Sequence, residues 1–174
     1  MYTFDALAQR TTADQFEAST PCEGWDVRTL IGHQCAVVNG VQAVAATGAL
    51  AKPTPPEDMS DPIAAWNATR SANLSTLDRQ GVLHQQGPFW FEAATVDDMI
   101  GIVLWDVVGH SWDLAQATGQ HHYISDNLAE AALAVAAPMS DMLVETKRTG
   151  PALSAADNAS VLDQYLAVIG RQSN

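Results

Sequence analysis

Asp106, His110 and Asp113 stand within WDVVGHSWDL (Trp105–Leu114), a stretch that is otherwise apolar and patterned as helix. Spacings of four and then three residues set all three on one face of an α-helix. An Asp-x-x-x-His pair is often no more than an i,i+4 polar pair, solvated or buried as an ion pair. The same spacing also converges two donors on one point, as helix-borne metal sites do. Two donors do not hold a divalent ion, so a third must come from a facing helix. His33 is the best placed, near the middle of another helical stretch and beside Leu30, Ile31 and Gly32. Two imidazoles and a carboxylate leave a coordination position for water or substrate, the catalytic rather than the structural arrangement for zinc. Nickel, iron and manganese suit the same donors. Asp113 is then a fourth ligand, an acceptor for the His110 ring N–H, or a solvated acid.

Other reactive residues carry weaker signals. His84 lies in an irregular stretch, at most at the mouth of a site. His121 and His122 follow a helix stop and read as a solvated pair. Cys22 precedes a helix start, where the helix dipole favours a thiolate, although a buried inert thiol is the simpler expectation. Cys35 points about 200° away from His33 around the helix, which argues against shared ligation. Of the five tryptophans, most belong to the core or its rim, and Trp90 and Trp112 are candidates to line a cofactor pocket.

Helices must position these groups. STPCEGWD reads as a turn with Asp26 as N-cap, followed by a helix from Val27 to about Ala46. The proline-rich segment 47–62 is a loop, and Ala64–Leu77 is a further helix. Residues 81–91 read as a hairpin or irregular crossover. Thr95 caps a helix expected to run unbroken to Thr118, where Gly119 ends it; Asp98 makes a weak form of capping box. A helix from Asp126 to Met142 should kink at Pro138, and a last one spans about 160–169. No βαβ alternation appears. The fold class is all-α: a four-helix bundle with an additional short helix and a small hairpin, in a single domain over residues 1–174.

Composition narrows the function. Eight basic against 20 acidic residues give a formal charge of −12, which disfavours nucleic acid and anionic membranes as partners. No run of about 18 apolar residues occurs, and the N-terminus lacks the features of a signal peptide, so a soluble cytoplasmic protein is expected. Two cysteines make no disulfide framework.

TPCEGWDVRTLIGH (20–33) and HSWDLAQATGQ (110–120) together resemble the mycothiol-dependent maleylpyruvate isomerase N-terminal family. That family belongs to the DinB-like metal-binding helical bundles widespread in actinobacteria. The resemblance continues through DNLAEAALAVA (126–136) and DQYLAVIGRQ (163–172). It implies a divalent metal, usually zinc, held by His33 on the second helix and by an E-x-x-x-H pair whose histidine is His110. Asp106 stands where that pair normally has glutamate, which shortens the arm by one methylene and can tighten, shift or abolish the site. The first helix is also shorter than in such bundles, so the bundle is completed by an earlier start or by a second copy as a homodimer.

The resemblance further implies a metal-dependent transferase or isomerase. Metal at His33, Asp106 and His110 would activate a low-molecular-weight thiol such as mycothiol toward a small-molecule electrophile, with His110 and Asp113 as the catalytic pair. The alternative is a non-catalytic metal- or ligand-binding bundle with a stress or regulatory role.

Overall fold

In the computed structural model, residues 2–49, 52–89 and 92–173 are described. The chain folds as an all-α bundle carrying one small hairpin. In order come α1 (Tyr2–Ala8), α2 (Val27–Thr47), α3 (Pro62–Leu77), β1 (Gln86–Phe89), β2 (Glu92–Thr95), α4 (Val96–Ile102), α5 (Leu104–Thr118), α6 (Asp126–Ala136), α7 (Ser140–Glu145) and α8 (Val161–Val168). Helix α2 packs most extensively on α3, α1 and α6 pack on α5, and α8 packs on α6.

Local chemistry starts and stops these helices. Asp26 caps α2 by accepting from the Thr29 amide at 2.7 Å, and Gly48 ends it at φ 71°. Along α2 the fully buried Leu30, Ile31, Cys35 and Val44 form the inner stripe, and His33 lies half-buried at its edge. Apolar groups of α1, α2 and α5, among them Phe4, Leu7, Leu30, Ile31 and Leu114, share one cluster with Trp66 of α3. Each such side chain contributes roughly 1.5–3 kcal/mol by leaving water. That cluster clamps α2 against α5.

Strands β1 and β2 pair antiparallel, with Gln86 opposite Thr95 and Phe89 opposite Glu92. The capping box at Thr95 forms with aspartate after all: Asp98 accepts from the Thr95 amide at 3.1 Å, and Thr95 Oγ1 accepts from the Asp98 amide at 3.1 Å.

The unbroken helix expected from Thr95 to Thr118 is in fact two. It breaks at Val103, whose amide bonds back to Met99 and Gly101. Gly101 weakens the helix there, and the two pieces bury into different clusters. Val96 and Met99 of α4 join Val41 and Val44, whereas Trp105 and Val108 of α5 join Tyr165 and Leu166. The kink at Pro138 appears as a short 3-10 turn (Ala137–Met139) between α6 and α7.

Candidate metal centre

Asp106 lies in the first turn of α5 and His110 one turn on, so both leave the helix on the same face. His33 reaches the same point from α2. Its Nε2 is 3.3 Å from Asp106 Oδ2, and His110 Nε2 is 3.5 Å from that oxygen. One ligand atom from each residue lies within 4.8 Å of the others. A zinc ion about 2.0–2.1 Å from each of its donors spreads tetrahedral ligands roughly 3.4 Å apart, so these donors fit one ion in type and in separation. The shorter aspartate arm still meets both histidines.

The groups around the three hold them in place. Gln34, fully buried, donates from Nε2 to Asp106 Oδ1 at 2.7 Å and so leaves Oδ2 for the histidines. His110 Nδ1 faces Asp113 Oδ2 at 2.8 Å, which turns Nε2 toward Asp106. Asp113 is fully buried, and Arg171 grips both of its oxygens. Among the three roles open to Asp113, acceptor for the His110 ring is the one this geometry describes. Trp25 stacks on His110 at 5.7 Å and 23°, and its ring centroid is 4.8 Å from that of His33.

Charge follows the contacts. Burial works against ionising Asp106, but the His110 charge and hydrogen bonds from both histidines hold its carboxyl far below the usual carboxylate range. Burial likewise disfavours protonated His110, and Asp106 and Asp113 outweigh it, raising His110 well above its ordinary value of 6.5. Asp113 is lowered to about 2, despite burial, by Arg171 and His110.

A second grouping, Cys22 with His110 and Asp113, also brings potential ligand atoms together. It suits a cation poorly. The Arg171 guanidinium already neutralises both Asp113 oxygens, and the His110 nitrogen on that side points at Asp113. Cys22 is half-buried rather than sealed in the core, with Sγ 3.2 Å from Asp113 Oδ2 and 3.5 Å from Arg171 Nη2.

These residues open on a cleft of about 540 Å³, whose lining includes Cys22, Trp25, His33, Asp106 and His110. Trp112 is not among its lining. It is 5% exposed, packed in the cluster with Trp105, and borders a separate groove beside Gln116 and Gln172. Trp90 lies outside the described residues. His84, His121 and His122 sit away from the cleft; the last two rings stack on each other at 4.9 Å. Sequence reasoning missed Gln34, Trp25 and Arg171. Gln34 alone left a signal, a polar residue on the inner stripe of an apolar helix.

The sequence profile of the mycothiol maleylpyruvate isomerase N-terminal domain matches residues 2–115, about two thirds of the chain and all three converging residues. The chain belongs to that family. Two uncharacterized proteins of Mycobacterium tuberculosis, Rv0738 of strain H37Rv and MT0763 of strain CDC 1551 / Oshkosh, are each 30% identical to it over 97% of this chain and 91% of their own length. No solved structure matches. Membership ties the chain to a mycothiol-related family, and no helix among the described residues is long and apolar enough to cross a membrane.

Proposed function

We propose that residues 1–174 form one domain that acts as a metal-dependent thiol transferase or isomerase. His33, Asp106 and His110 hold a divalent ion, zinc first by donor type. The observation that carries this is the meeting of two imidazole Nε2 atoms from different helices at one Asp106 oxygen, 3.3 and 3.5 Å away. A bound ion would supply the Lewis acidity that lowers the pKa of a small thiol, mycothiol by the family's name, so that a thiolate would be available at neutral pH toward a small electrophile.

The protein's own groups prepare that chemistry. Asp113 accepts a hydrogen bond from His110 Nδ1–H and would leave Nε2 as the donor to the metal. Gln34 takes up Asp106 Oδ1 and would leave Oδ2 as the ligating oxygen. Trp25 packs against both imidazoles and so helps to hold their rings in place.

Zinc titration of untagged protein tests the reading. Asp106→Glu should retain binding, and Asp106→Ala should weaken it by at least about a hundredfold, since two neutral imidazoles then face a dication. Equal affinity of Asp106→Ala and the parent removes Asp106 from the site. Zinc-loaded protein that binds no small thiol leaves a non-catalytic metal-binding bundle.

A further inference from the structure

The two histidines that follow α5 lie away from the cleft, and the thiol chemistry makes no use of them. Residues 120–124 join the end of α5 to the Ser125 cap of α6. Gln120 anchors the start of this connection: its amide donates to the Ala115 carbonyl at 2.9 Å, and its Nε2 to the Leu7 carbonyl at 3.2 Å. Ile124 anchors its end, 8% exposed within the cluster that holds Trp112 of α5 and Ala129 of α6. Between the anchors, each imidazole accepts from the chain two residues ahead. His121 Nδ1 accepts from the Tyr123 amide at 3.1 Å, and His122 Nδ1 from the Ile124 amide at 3.0 Å. Tyr123 stands at φ 53°, a left-handed conformation that an aromatic residue rarely adopts without such support.

A histidine nitrogen can accept only while the ring is neutral; in the protonated ring both nitrogens donate. Protonation therefore sets N–H against N–H at both bonds. The rings also stack, with centroids 4.9 Å apart and planes 25° from parallel, so two charges there repel. Burial, and then the charge of His121, lower the His122 pKa from its ordinary value of 6.5. The surroundings supply no compensating charge. Arg10, just after α1, lies over the Tyr123 ring 5.0 Å from its centroid and is itself a cation. Helices α5 and α6 meet the connection at Ile124 through apolar side chains. Asp126, in the first turn of α6, is exposed, and among the described residues no carboxylate forms an ion pair with either ring.

We propose that His121 and His122 form an acid-released latch: each neutral ring holds the backbone two residues ahead, and protonation opens the connection between α5 and α6 at residues 121–124. A group whose folded pKa is lowered in this way supports the closed form fully above pH 6.5, and that support is lost as pH falls through the lowered value. The opening is local. Neither the Gln120 bonds nor the Ser125 cap contains a group that titrates in this range, so both ends of the connection stay in place. The latch is independent of metal at the cleft and adds to the thiol reading a response to acidity.

Amide hydrogen exchange followed by NMR tests it, with rates expressed as protection so that the intrinsic pH dependence cancels. Protection of the Tyr123 and Ile124 amides should fall between about pH 7.5 and about pH 5. The fall should approach about tenfold for each pH unit below the His122 value, the slope for uptake of one proton on opening. Ile31 in α2 should keep its protection, which separates local opening from unfolding. At neutral pH the ring nitrogen shifts should place both protons on Nε2. An asparagine oxygen accepts from the same amide two residues ahead and does not titrate in this range. His121→Asn with His122→Asn should therefore keep the turn and lose its pH dependence, and His122→Asn alone should free only Ile124 from it. The proposal is overturned if Tyr123 and Ile124 are equally protected at both pH values, if Ile31 loses protection along with them, or if the double variant keeps the parent's pH dependence.

Discussion

Arg171 holds Asp113 from 58 residues away: its Nε donates to Oδ1 at 2.8 Å and its Nη2 to Oδ2 at 2.7 Å. Two close approaches of backbone make this reach possible. A Cβ on Gly109 would sit 2.9 Å from both Ile169 Cδ1 and the Tyr165 hydroxyl, so α5 and the end of α8 pack closely only around glycine. At Gly170, φ is 73° and a Cβ would meet the Gly150 carbonyl oxygen at 2.9 Å. The turn after α8 thereby delivers a guanidinium to the carboxylate that orients His110, and Arg171 joins the lining of the cleft.

Removing both partners of this pair should cost less than the two single removals added together. Arg171→Met leaves a fully buried carboxylate without its cation and should destabilise the protein by about 3–5 kcal/mol. Arg171→Met with Asp113→Asn should be less destabilised than the sum of the two single changes. Urea unfolding of the four proteins at neutral pH measures the coupling. Because Asp113 titrates at about 2 rather than 3.8, its contribution is present above pH 3.8 and lost as pH falls through 2. It amounts to about 2 kcal/mol, and the acid limb of the stability profile should flatten in Asp113→Asn.

Metal binding and stability should depend on pH in opposite senses. His110 is raised in the metal-free protein, so its ion pairs stabilise the fold fully below pH 6.5, and that contribution is lost as pH rises through the raised value. A metal ion needs the neutral ring, so zinc must displace this proton and zinc affinity should climb with pH over the same range. Calorimetry in buffers of differing ionisation enthalpy reads the released proton. Zinc affinity independent of pH would mean that His110 is not a ligand.

Gln34 should matter to the metal and little to the chemistry of helix α2. Gln34→Leu removes the donor to Asp106 Oδ1 while filling similar space. Zinc affinity should fall about 10- to 100-fold, the usual cost of losing an outer partner of a ligand. Circular dichroism should keep its helical spectrum. Unchanged zinc affinity would show that Asp106 needs no help to hold its position.

Cys22 stands close enough to His110 and Asp113 to be mistaken for the nucleophile. If the nucleophile is the small thiol, Cys22→Ser keeps zinc binding and thiol-dependent turnover within a few-fold of the parent. Loss of turnover in that variant, with zinc still bound, would place the attacking sulfur on the protein itself.

Much of this site was legible along the chain because helix periodicity is local. Asp106, His110 and Asp113 share a face at any α-helix's pitch, whatever surrounds them. His33 and the limits of α2, α3 and α8 were readable from apolar spacing and, for α2, from the Asp26 cap. Distances between helices are not written in any one segment. That His33 meets Asp106 depends on how Leu30, Ile31 and Leu114 pack α2 against α5. The break at Val103 arose because α4 and α5 bury into different clusters, a competition invisible in the run of residues itself. Arg171 became part of the site only through packing: it approaches Asp113 across the core, where close contact at Gly109 and Gly170, rather than sequence spacing, decides which side chains meet.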